Sequence, residues 1–373
     1  MVKKVLIIGG GIGGLSTAIA LRKASIDVDL VEIKTEWKVY HVGIIVQGNF
    51  IRAMAALGIA DKAVAAGFPY FGVKFQTIQG HPVAEIPGIP MAGPNYPTDL
   101  GIGRPALHKI LSEAALEAGT KVRLGVTFRE IRQNDHGVTV AFTDGTAGEY
   151  DLVIGADGIH SQVRRRVFGD EHQPKFTGQG VWRYNVRRPA ALDVAVLCVG
   201  LEGGKCGAIP LSADTGYVLL VQSEPGNPHH PDDKLADIFR ERLAACTGMM
   251  AELRGQITDS SLVIYRPLES LLLPAPWYQG RVLLIGDSVH STTPHLGQGA
   301  AQAVEDGVVL GELLQRHEPL PQLLDEFMQR RFERCKFIVE GSLQLGEWEM
   351  RPSPEADAPG LTRKMLAVMA QPI

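Results

Sequence analysis

The chain has 373 residues, with 37 Lys and Arg against 41 Asp and Glu, so its formal net charge is −4. Apolar residues make up 45% and charged residues 21%, which is typical of a globular protein and too apolar for a disordered one. A slightly acidic chain without a basic tract is not expected to bind nucleic acid, because phosphate-backbone affinity needs clustered Lys and Arg. No apolar run approaches the ~20 residues of a membrane span, so we expect no integral membrane segment.

Glycine is the outlier of the composition, with 42 residues, about 11% against a usual level of ~7%. The four cysteines show no CxxC pair and no metal-ligand spacing, so we predict no metal site, reduced thiols and a cytoplasmic location. The length exceeds the ~250–300 residues of a single hydrophobic core, which favours two domains.

The predicted elements of the first half alternate between strands and helices. A β-branched run at residues 5–8 is typical of a strand buried on both faces. A helix over residues 15–24 and a strand over residues 28–32 follow it. The later predictions are a helix over 44–57, a β-rich excursion over 68–100, a helix over 105–118, strands over 121–133 and 137–143, and a buried strand over 150–155.

The second half is predicted to be β-rich and then helical. Residues 173–270 have a β pattern with one helix near 233–246, and an apolar strand follows at residues 281–285. A glycine-rich turn then leads into a helix that ends near residue 314. A loose apolar stripe predicts a further helix over residues 320–345.

The first motif is Gly9-x-Gly11-x-x-Gly14, placed between a strand and a helix, with Glu32 at the end of the next strand. One glycine permits the tight turn, one lets the backbone approach a pyrophosphate, and one allows close helix–strand packing. The helix N-terminus offers free N–H groups to the phosphates. This unit predicts a dinucleotide site, and Glu32 favours FAD or NAD over NADP because it would repel a ribose phosphate.

Two further glycine–carboxylate motifs follow buried strands. The second runs from Asp151 to Asp157 and Gly158, with Ser161 and Arg164 behind it. The third motif contains Gly286-Asp287, Pro294, Gly297-Gln298-Gly299-Ala300 and Glu305-Asp306. Each motif places a carboxylate where ligands of open α/β sheets bind, although a lone Asp there can equally cap a helix.

In this order the three motifs resemble the class A FAD-dependent monooxygenases, the single-component aromatic hydroxylases typified by salicylate, 6-hydroxynicotinate and urate hydroxylases. The resemblance covers residues 1 to about 340. It implies an α/β fold in which a Rossmann-like FAD-binding domain carries an inserted β-rich substrate domain and C-terminal helices. The implied boundaries are 1–70, 101–172 and 273–345 for the FAD domain, 71–100 and 173–272 for the substrate domain, and 346–373 for a C-terminal linker and tail.

The resemblance also implies the cofactor contacts. Asp157 matches an acid that serves both FAD and NAD(P)H, and the reductant is expected to bind transiently near Asp157 and Arg164. The segment from Pro294 to Ala300 matches the loop beneath the isoalloxazine ring. The full set of implied FAD-binding residues is Gly9, Gly11, Gly14, Glu32, Lys34, Arg104, Phe128, Asp157, Asp287, Pro294, Gly297, Gln298, Gly299 and Ala300.

The function implied by the resemblance is hydroxylation of a small phenolic or N-heteroaromatic compound. In such enzymes NADH or NADPH reduces FAD, O₂ adds to the flavin, and the flavin hydroperoxide attacks an electron-rich ring. The alternatives are an FAD-dependent epoxidase or reductase of a non-aromatic substrate and a non-catalytic flavin-binding redox sensor. Ile45 replaces the histidine of the 6-hydroxynicotinate group, which argues against that chemistry. The sequence indicates no oligomeric state.

Candidate substrate residues lie on the β-rich insert. Arg183 can pair with a substrate carboxylate or enolate, or can be the tip of a surface strand. For Cys206 and Tyr217 core packing is the favoured role, and for His290 a structural role is favoured. The substrate candidates are Trp182, Arg183, Tyr184, Cys206, Pro210 and Tyr217, and the catalytic candidates are His41, Arg183, Tyr217 and His290.

Overall fold

The computed structural model describes residues 1–316 and 318–373. The strands are β1 (Lys4–Ile8), β2 (Asp27–Glu32), β3 (Gly43–Gln47), β4 (Phe68–Tyr70), β5 (Val73–Thr77), β6 (Pro82–Ile86), β7 (Asp99–Gly103), β8 (Lys121–Leu124), β9 (Phe128–Gln133), β10 (Val138–Phe142), β11 (Ala147–Tyr150), β12 (Leu152–Gly155), β13 (Lys175–Arg187), β14 (Ala195–Leu201), β15 (Gly204–Pro210), β16 (Thr215–Ser223), β17 (Ile264–Ser270), β18 (Tyr278–Gln279) and β19 (Val282–Leu284). The helices are α1 (Ile12–Lys23), α2 (Gly48–Leu57), α3 (Ala60–Ala66), α4 (Arg104–Glu117), α5 (Gln162–Phe168), α6 (Leu235–Arg242), α7 (Gly248–Gly255), α8 (Asp287–His290), α9 (Gly299–Leu314), α10 (Leu320–Met350) and α11 (Ala358–Ala370).

A six-stranded sheet with the order β18-β19-β12-β1-β2-β8 forms the first core. Its strands pair in parallel except for β18, which pairs antiparallel with β19. The apolar runs of β1 and β12 are buried, as expected for parallel strands covered on both faces. Because β12 lies between β1 and β19, the three motifs that follow these strands meet at one edge of the sheet.

A seven-stranded sheet with the order β17-β13-β16-β15-β14-β5-β6 forms the second layer. The strand β5 pairs in parallel with β14, so the excursion over residues 68–100 and the later β-rich segment share one sheet. Helices α6 and α7 cover one face of it with buried residues such as Phe239 and Leu253. This arrangement confirms the predicted α/β fold with a β-rich insert.

Three predicted elements differ from the structure. The segment over 173–270 contains a second helix, α7, in addition to α6. Residues 44–46 belong to β3, which pairs with β7, and the helix begins at Gly48. Residues 346–373, predicted to be a linker and tail, contain the end of α10 and the helix α11. Asp357 caps α11 by accepting a hydrogen bond from the Gly360 N–H at 2.8 Å. Among the described residues, no helix is long and apolar enough to cross a membrane.

A buried network of charges joins α9 to α10. The Glu305 and Asp306 carboxylates are fully buried, and Arg331 donates to both of them at 2.7 and 2.8 Å. Arg334 adds a fork of hydrogen bonds to Glu305 at 2.8 and 2.9 Å. Burial opposes ionisation, but the positive charges of His290 and Arg331 hold the pKa of Asp306 below its usual value. Buried charges are tolerated only when they are paired, so this network specifies how α9 and α10 pack.

Replacing Arg331 by Met is predicted to lower the free energy of unfolding by about 3–5 kcal/mol, because two buried carboxylates lose their partner. Urea denaturation of the variant and the parent protein measures this loss. The matched control is Arg351→Met, which removes an exposed ion pair with Glu347 and should leave stability almost unchanged. Equal effects of the two substitutions would contradict the role of the network.

Candidate cofactor and substrate site

The first turn is shaped by contacts that exclude side chains. Gly9 has φ +112°, and a Cβ there would lie 2.3 Å from the Ala156 carbonyl oxygen. At Gly14 a Cβ would lie 2.0 Å from the Gly9 carbonyl oxygen, so glycine permits the close packing of α1 on β1. A Cβ at Gly11 would meet nothing within 4 Å, and this residue lines a cavity. The backbone at Gly11 can therefore be approached by a bound pyrophosphate.

The carboxylate of Glu32 lies beside this turn. Its two oxygens accept hydrogen bonds from the Gly10 N–H at 2.8 Å and the Lys34 N–H at 3.0 Å. Lys34 lines the cavity and donates through Nζ to the Lys38 carbonyl oxygen at 2.9 Å. The structure thus orients Glu32 at the end of β2, where a ribose would be recognised.

The third motif forms another wall of the cavity. Asp287 is exposed to the cavity. The Gly286 N–H before it donates to the buried Asp306 carboxylate at 2.9 Å, which fixes the turn. Gln298 is buried and accepts from the Asn49 side-chain amide at 2.9 Å. The predicted loop residues Pro294, Gly297, Gln298, Gly299 and Ala300 all line the cavity, and α9 begins there at Gly299.

The cavity between the two sheets has a volume of about 1540 Å³. A typical small-molecule pocket has ~300–1,000 Å³, so this one has room for more than a single small ligand. Its walls are the first turn, the third motif, the seven-stranded sheet and the helices α10 and α11. The combination suits a dinucleotide and a second molecule beside it.

Two arginines face the cavity near a tyrosine. Arg104 is desolvated, which lowers its pKa, and its Nε has no hydrogen-bond partner within the described residues. Burial, and then the positive charge of Arg104, lower the pKa of Arg183 to about 10, so Arg183 stays cationic at neutral pH. Burial raises the pKa of Tyr217, whose hydroxyl is therefore neutral and able to donate. Arg104 and Arg183 thus give this part of the cavity wall positive charge, and Tyr217 adds a neutral donor.

Comparison with known proteins identifies the family. Residues 3–342 match the model of the FAD binding domain family. The chain belongs to this family. It is 34% identical to the 2-heptyl-3-hydroxy-4(1H)-quinolone synthase of Pseudomonas aeruginosa, over 92% of this chain and 90% of that protein. It is 31% identical to the FAD-dependent urate hydroxylase of Klebsiella pneumoniae, over 90% of this chain and 88% of the relative.

Solved structures agree with this assignment. The structure of Klebsiella pneumoniae HpxO complexed with FAD and uric acid superposes with a TM-score of 0.87 at 27% identity, covering 98% of this chain and 96% of that one. The protein is an FAD-dependent monooxygenase of the aromatic hydroxylase class, as the three motifs predicted. The open backbone at Gly11, the oriented Glu32 and the unpartnered Arg104 fit FAD.

In this monooxygenase the acid of the second motif makes its hydrogen bonds to the start of α5. The Asp157 carboxylate accepts from the Ser161 hydroxyl and from the N–H groups of Gln162 and Val163, at 2.7 and 3.1 Å for the two amides. Asp157 thus satisfies N–H groups in the first turn of α5, whose N-cap residue is Ser161. Its neighbours Ala156 and Gly158 line the cavity through their backbone.

Arg164, near which the nicotinamide reductant is expected to bind, makes its own hydrogen bonds inside the protein. The side chain is fully buried and donates to the carbonyl oxygens of Ile159, Ser288 and His172 at 2.8, 2.8 and 3.0 Å. All of its donor nitrogens are thus used inside the protein. Arg164 joins the second motif to the third, and its side chain has no exposed surface to offer a ligand.

Four predicted substrate residues do not line the cavity. Successive side chains of a strand point to opposite faces, so Trp182 and Tyr184 face away when Arg183 faces the cavity. Trp182 is buried under α6, and its Nε1 donates to Glu224 at 3.2 Å. Cys206 lies opposite Leu220 on that same covered face. Pro210 is four residues further along β15, so its side chain points to the same face as Cys206. Arg183 and Tyr217, in contrast, do line the cavity.

Two other candidates also lie away from the cavity. Phe128, predicted to bind FAD, is buried in the first core. His290 is buried, and its Nε2 lies 2.7 Å from the Asp306 carboxylate. Burial would lower the pKa of His290, but the carboxylate of Asp306 contributes to raising it well above its usual value, which favours the structural role. His41 does line the cavity and is exposed there.

Sequence reasoning missed one polar group in the cavity wall. Glu349 accepts from Lys205 Nζ at 2.9 Å, and its other oxygen lies 3.2 Å from His295 Nε2. Burial opposes ionisation of Glu349, but the charge of Lys205 and the contact with His295 lower its pKa to about 2. Lys205, His295 and Glu349 come from three distant parts of the chain, so no local pattern indicated them.

Replacing Gly11 by Val is predicted to keep the fold but weaken FAD binding at least about tenfold, because the new side chain extends into open space that the cofactor needs. FAD retained after purification and titration of the apoprotein measure this loss, with circular dichroism as the folding readout. Gly255→Val, at another glycine with open surroundings, is the matched control and should keep both FAD and fold. Full FAD affinity in Gly11→Val would show that the pyrophosphate of FAD does not approach the backbone at Gly11.

Proposed function

We propose that this monooxygenase consumes NADH or NADPH and O₂ to hydroxylate a small phenolic or N-heteroaromatic compound with an acidic or enolisable oxygen. Two of its relatives are named as a urate hydroxylase and a hydroxyquinolone synthase, both of which handle nitrogen heterocycles. The four cysteines are free and buried, which suits the reducing cytoplasm where nicotinamide reductants are available.

The observation that carries this proposal is the unpaired charge of Arg183. Among residues 1–316 and 318–373, no carboxylate lies close enough to form an ion pair with its guanidinium. Arg183 is half-buried, so its charge is partly removed from water, and a guanidinium binds carboxylate or enolate oxygens with charge-assisted hydrogen bonds. An anionic oxygen on the substrate would supply the missing partner.

The residues of the chain then have separate tasks. Arg183 would hold the ring oxygen in its ionised form, which makes the ring richer in electrons, and the Tyr217 hydroxyl would donate to the same oxygen. The flavin, when bound, supplies the redox and oxygen-transfer chemistry. The N-terminus of α9 at Gly299 presents its positive end to the cavity and stabilises negative charge there.

The substitution Arg183→Gln is predicted to raise KM for an anionic aromatic substrate about 10- to 100-fold, because a charge-assisted hydrogen bond is lost. The substrate is first found by screening hydroxybenzoates, hydroxypyridines and hydroxyquinolines for faster NAD(P)H oxidation and for a product heavier by one oxygen. Steady-state kinetics of the variant then measure KM and kcat separately.

The matched control is Arg187→Gln, at an exposed position on the same strand, which should keep the parent KM. An unchanged KM in Arg183→Gln would remove Arg183 from substrate binding. NAD(P)H oxidation that no aromatic compound stimulates, or stimulated oxidation without an oxygenated product, would contradict the hydroxylase function itself.

A further inference from the structure

One row of residues crosses the cavity face of the seven-stranded sheet. The pairing register places Arg183 opposite Leu219, Leu219 opposite Gly207, Gly207 opposite Leu197, and Leu197 opposite Phe75. Directly paired residues point to the same face of a sheet. Arg183, Leu219, Leu197 and Phe75 all line the cavity, so this row runs along its wall from a charged end to an aromatic one.

The two ends of the row are far apart. Four strand spacings separate β13 from β5, and neighbouring strands lie ~4.8 Å apart, which gives about 19 Å between Arg183 and Phe75. A single or fused aromatic ring held by Arg183 covers about the first two strands. The remaining two spacings leave about 10 Å of wall beyond the ring.

This second part of the cavity, which we call the apolar arm, is lined by Val73, Phe75, Ile86, Leu197, Val199 and Leu366. Two polar groups near it are already satisfied by the protein. Lys205 pairs with Glu349 at 2.9 Å, and Asp99 accepts from the Gly72 N–H and the Thr98 hydroxyl at 2.9 and 2.7 Å. The arm thus offers apolar contact and keeps these charges occupied, whereas the Arg183 end offers an unpaired charge.

Helices α10 and α11 cover the apolar arm on the side opposite the seven-stranded sheet. Leu345 and Leu366 belong to the same buried cluster as Phe75 and Ile86, and Trp348 packs against that cluster. Leu296, in the loop predicted to lie beneath the flavin ring, is part of the cluster as well. The arm is therefore continuous with the cofactor end of the cavity and is covered by protein.

We propose that the substrate carries an apolar chain in addition to its acidic aromatic ring, with the chain lying in the apolar arm and pointing towards Phe75. At about 1.3 Å per methylene, an arm of about 10 Å accommodates roughly eight carbons. This proposal rests on the proposed function, because Arg183 must hold the ring for the chain to enter the arm. It narrows the substrate class to alkyl- or alkenyl-substituted phenols and N-heteroaromatics.

The test uses the FAD-loaded enzyme and two ring scaffolds, a hydroxybenzoate and a 4-hydroxyquinoline, each bearing hydrogen, methyl, pentyl or nonyl. Calorimetry gives Kd, and NAD(P)H oxidation with product mass gives kcat/KM. Each added methylene should raise the affinity by up to about fourfold, and this gain should level off near eight carbons. Leu197→Trp, which fills the arm, should reduce the nonyl-to-hydrogen affinity ratio at least tenfold.

The matched control is Leu116→Trp, the same exchange at an exposed position of α4, which should keep the parent ratio. Oxygenation of the bare rings without any gain from the chain would overturn the apolar arm and leave the hydroxylase function standing. Binding that tightens with chain length but never yields an oxygenated product would support the arm and overturn the hydroxylase function. An unchanged ratio in Leu197→Trp would place the chain elsewhere and overturn the proposal.

Discussion

The Asp306 carboxylate is the constraint on which the site depends. It accepts from the Gly286 N–H, His290 Nε2 and Arg331 Nε at 2.9, 2.7 and 2.8 Å, deep in the core. A buried anion of this kind has no stable alternative arrangement, because losing any partner leaves charge in a dry interior. The turn that exposes Asp287 and the start of α9 are consequently held rigidly before any ligand arrives, which is what electrostatic stabilisation by a preorganised site requires.

Two aspartates in similar glycine motifs have different roles because of the chain that follows each. After Asp157 the chain begins the helix α5, whose free N–H groups capture the carboxylate. Asp287 is itself the first residue of α8, a single turn, and the Gly286 N–H before it is satisfied by Asp306. The Asp287 carboxylate is therefore left facing the cavity, although its short motif resembles that of Asp157.

Much of the cofactor end could be predicted from the sequence, since Gly9 and Gly14 act through contacts within the first turn or with the chain after the adjacent strand, and Gly11 leaves its backbone open. The substrate end could be predicted only in part. Alternation along β13 requires Trp182 and Arg183 to face opposite sides, but only the packing of α6 decides which side is covered. Arg164 finds its carbonyl partners in distant segments, and α11 is stabilised mainly by burial of Met365, Leu366 and Met369.

The pleat of the seven-stranded sheet also bears on how such an enzyme can diversify. On β14 the residues Ala195, Leu197 and Val199 face the cavity, while Val196 and Cys198 are buried on the other face. Substitutions at the first set alter what the cavity accepts, and those at the second alter the core beneath α6 and α7. Selection for new substrates can therefore proceed at alternate positions of one strand while the remaining positions preserve the scaffold.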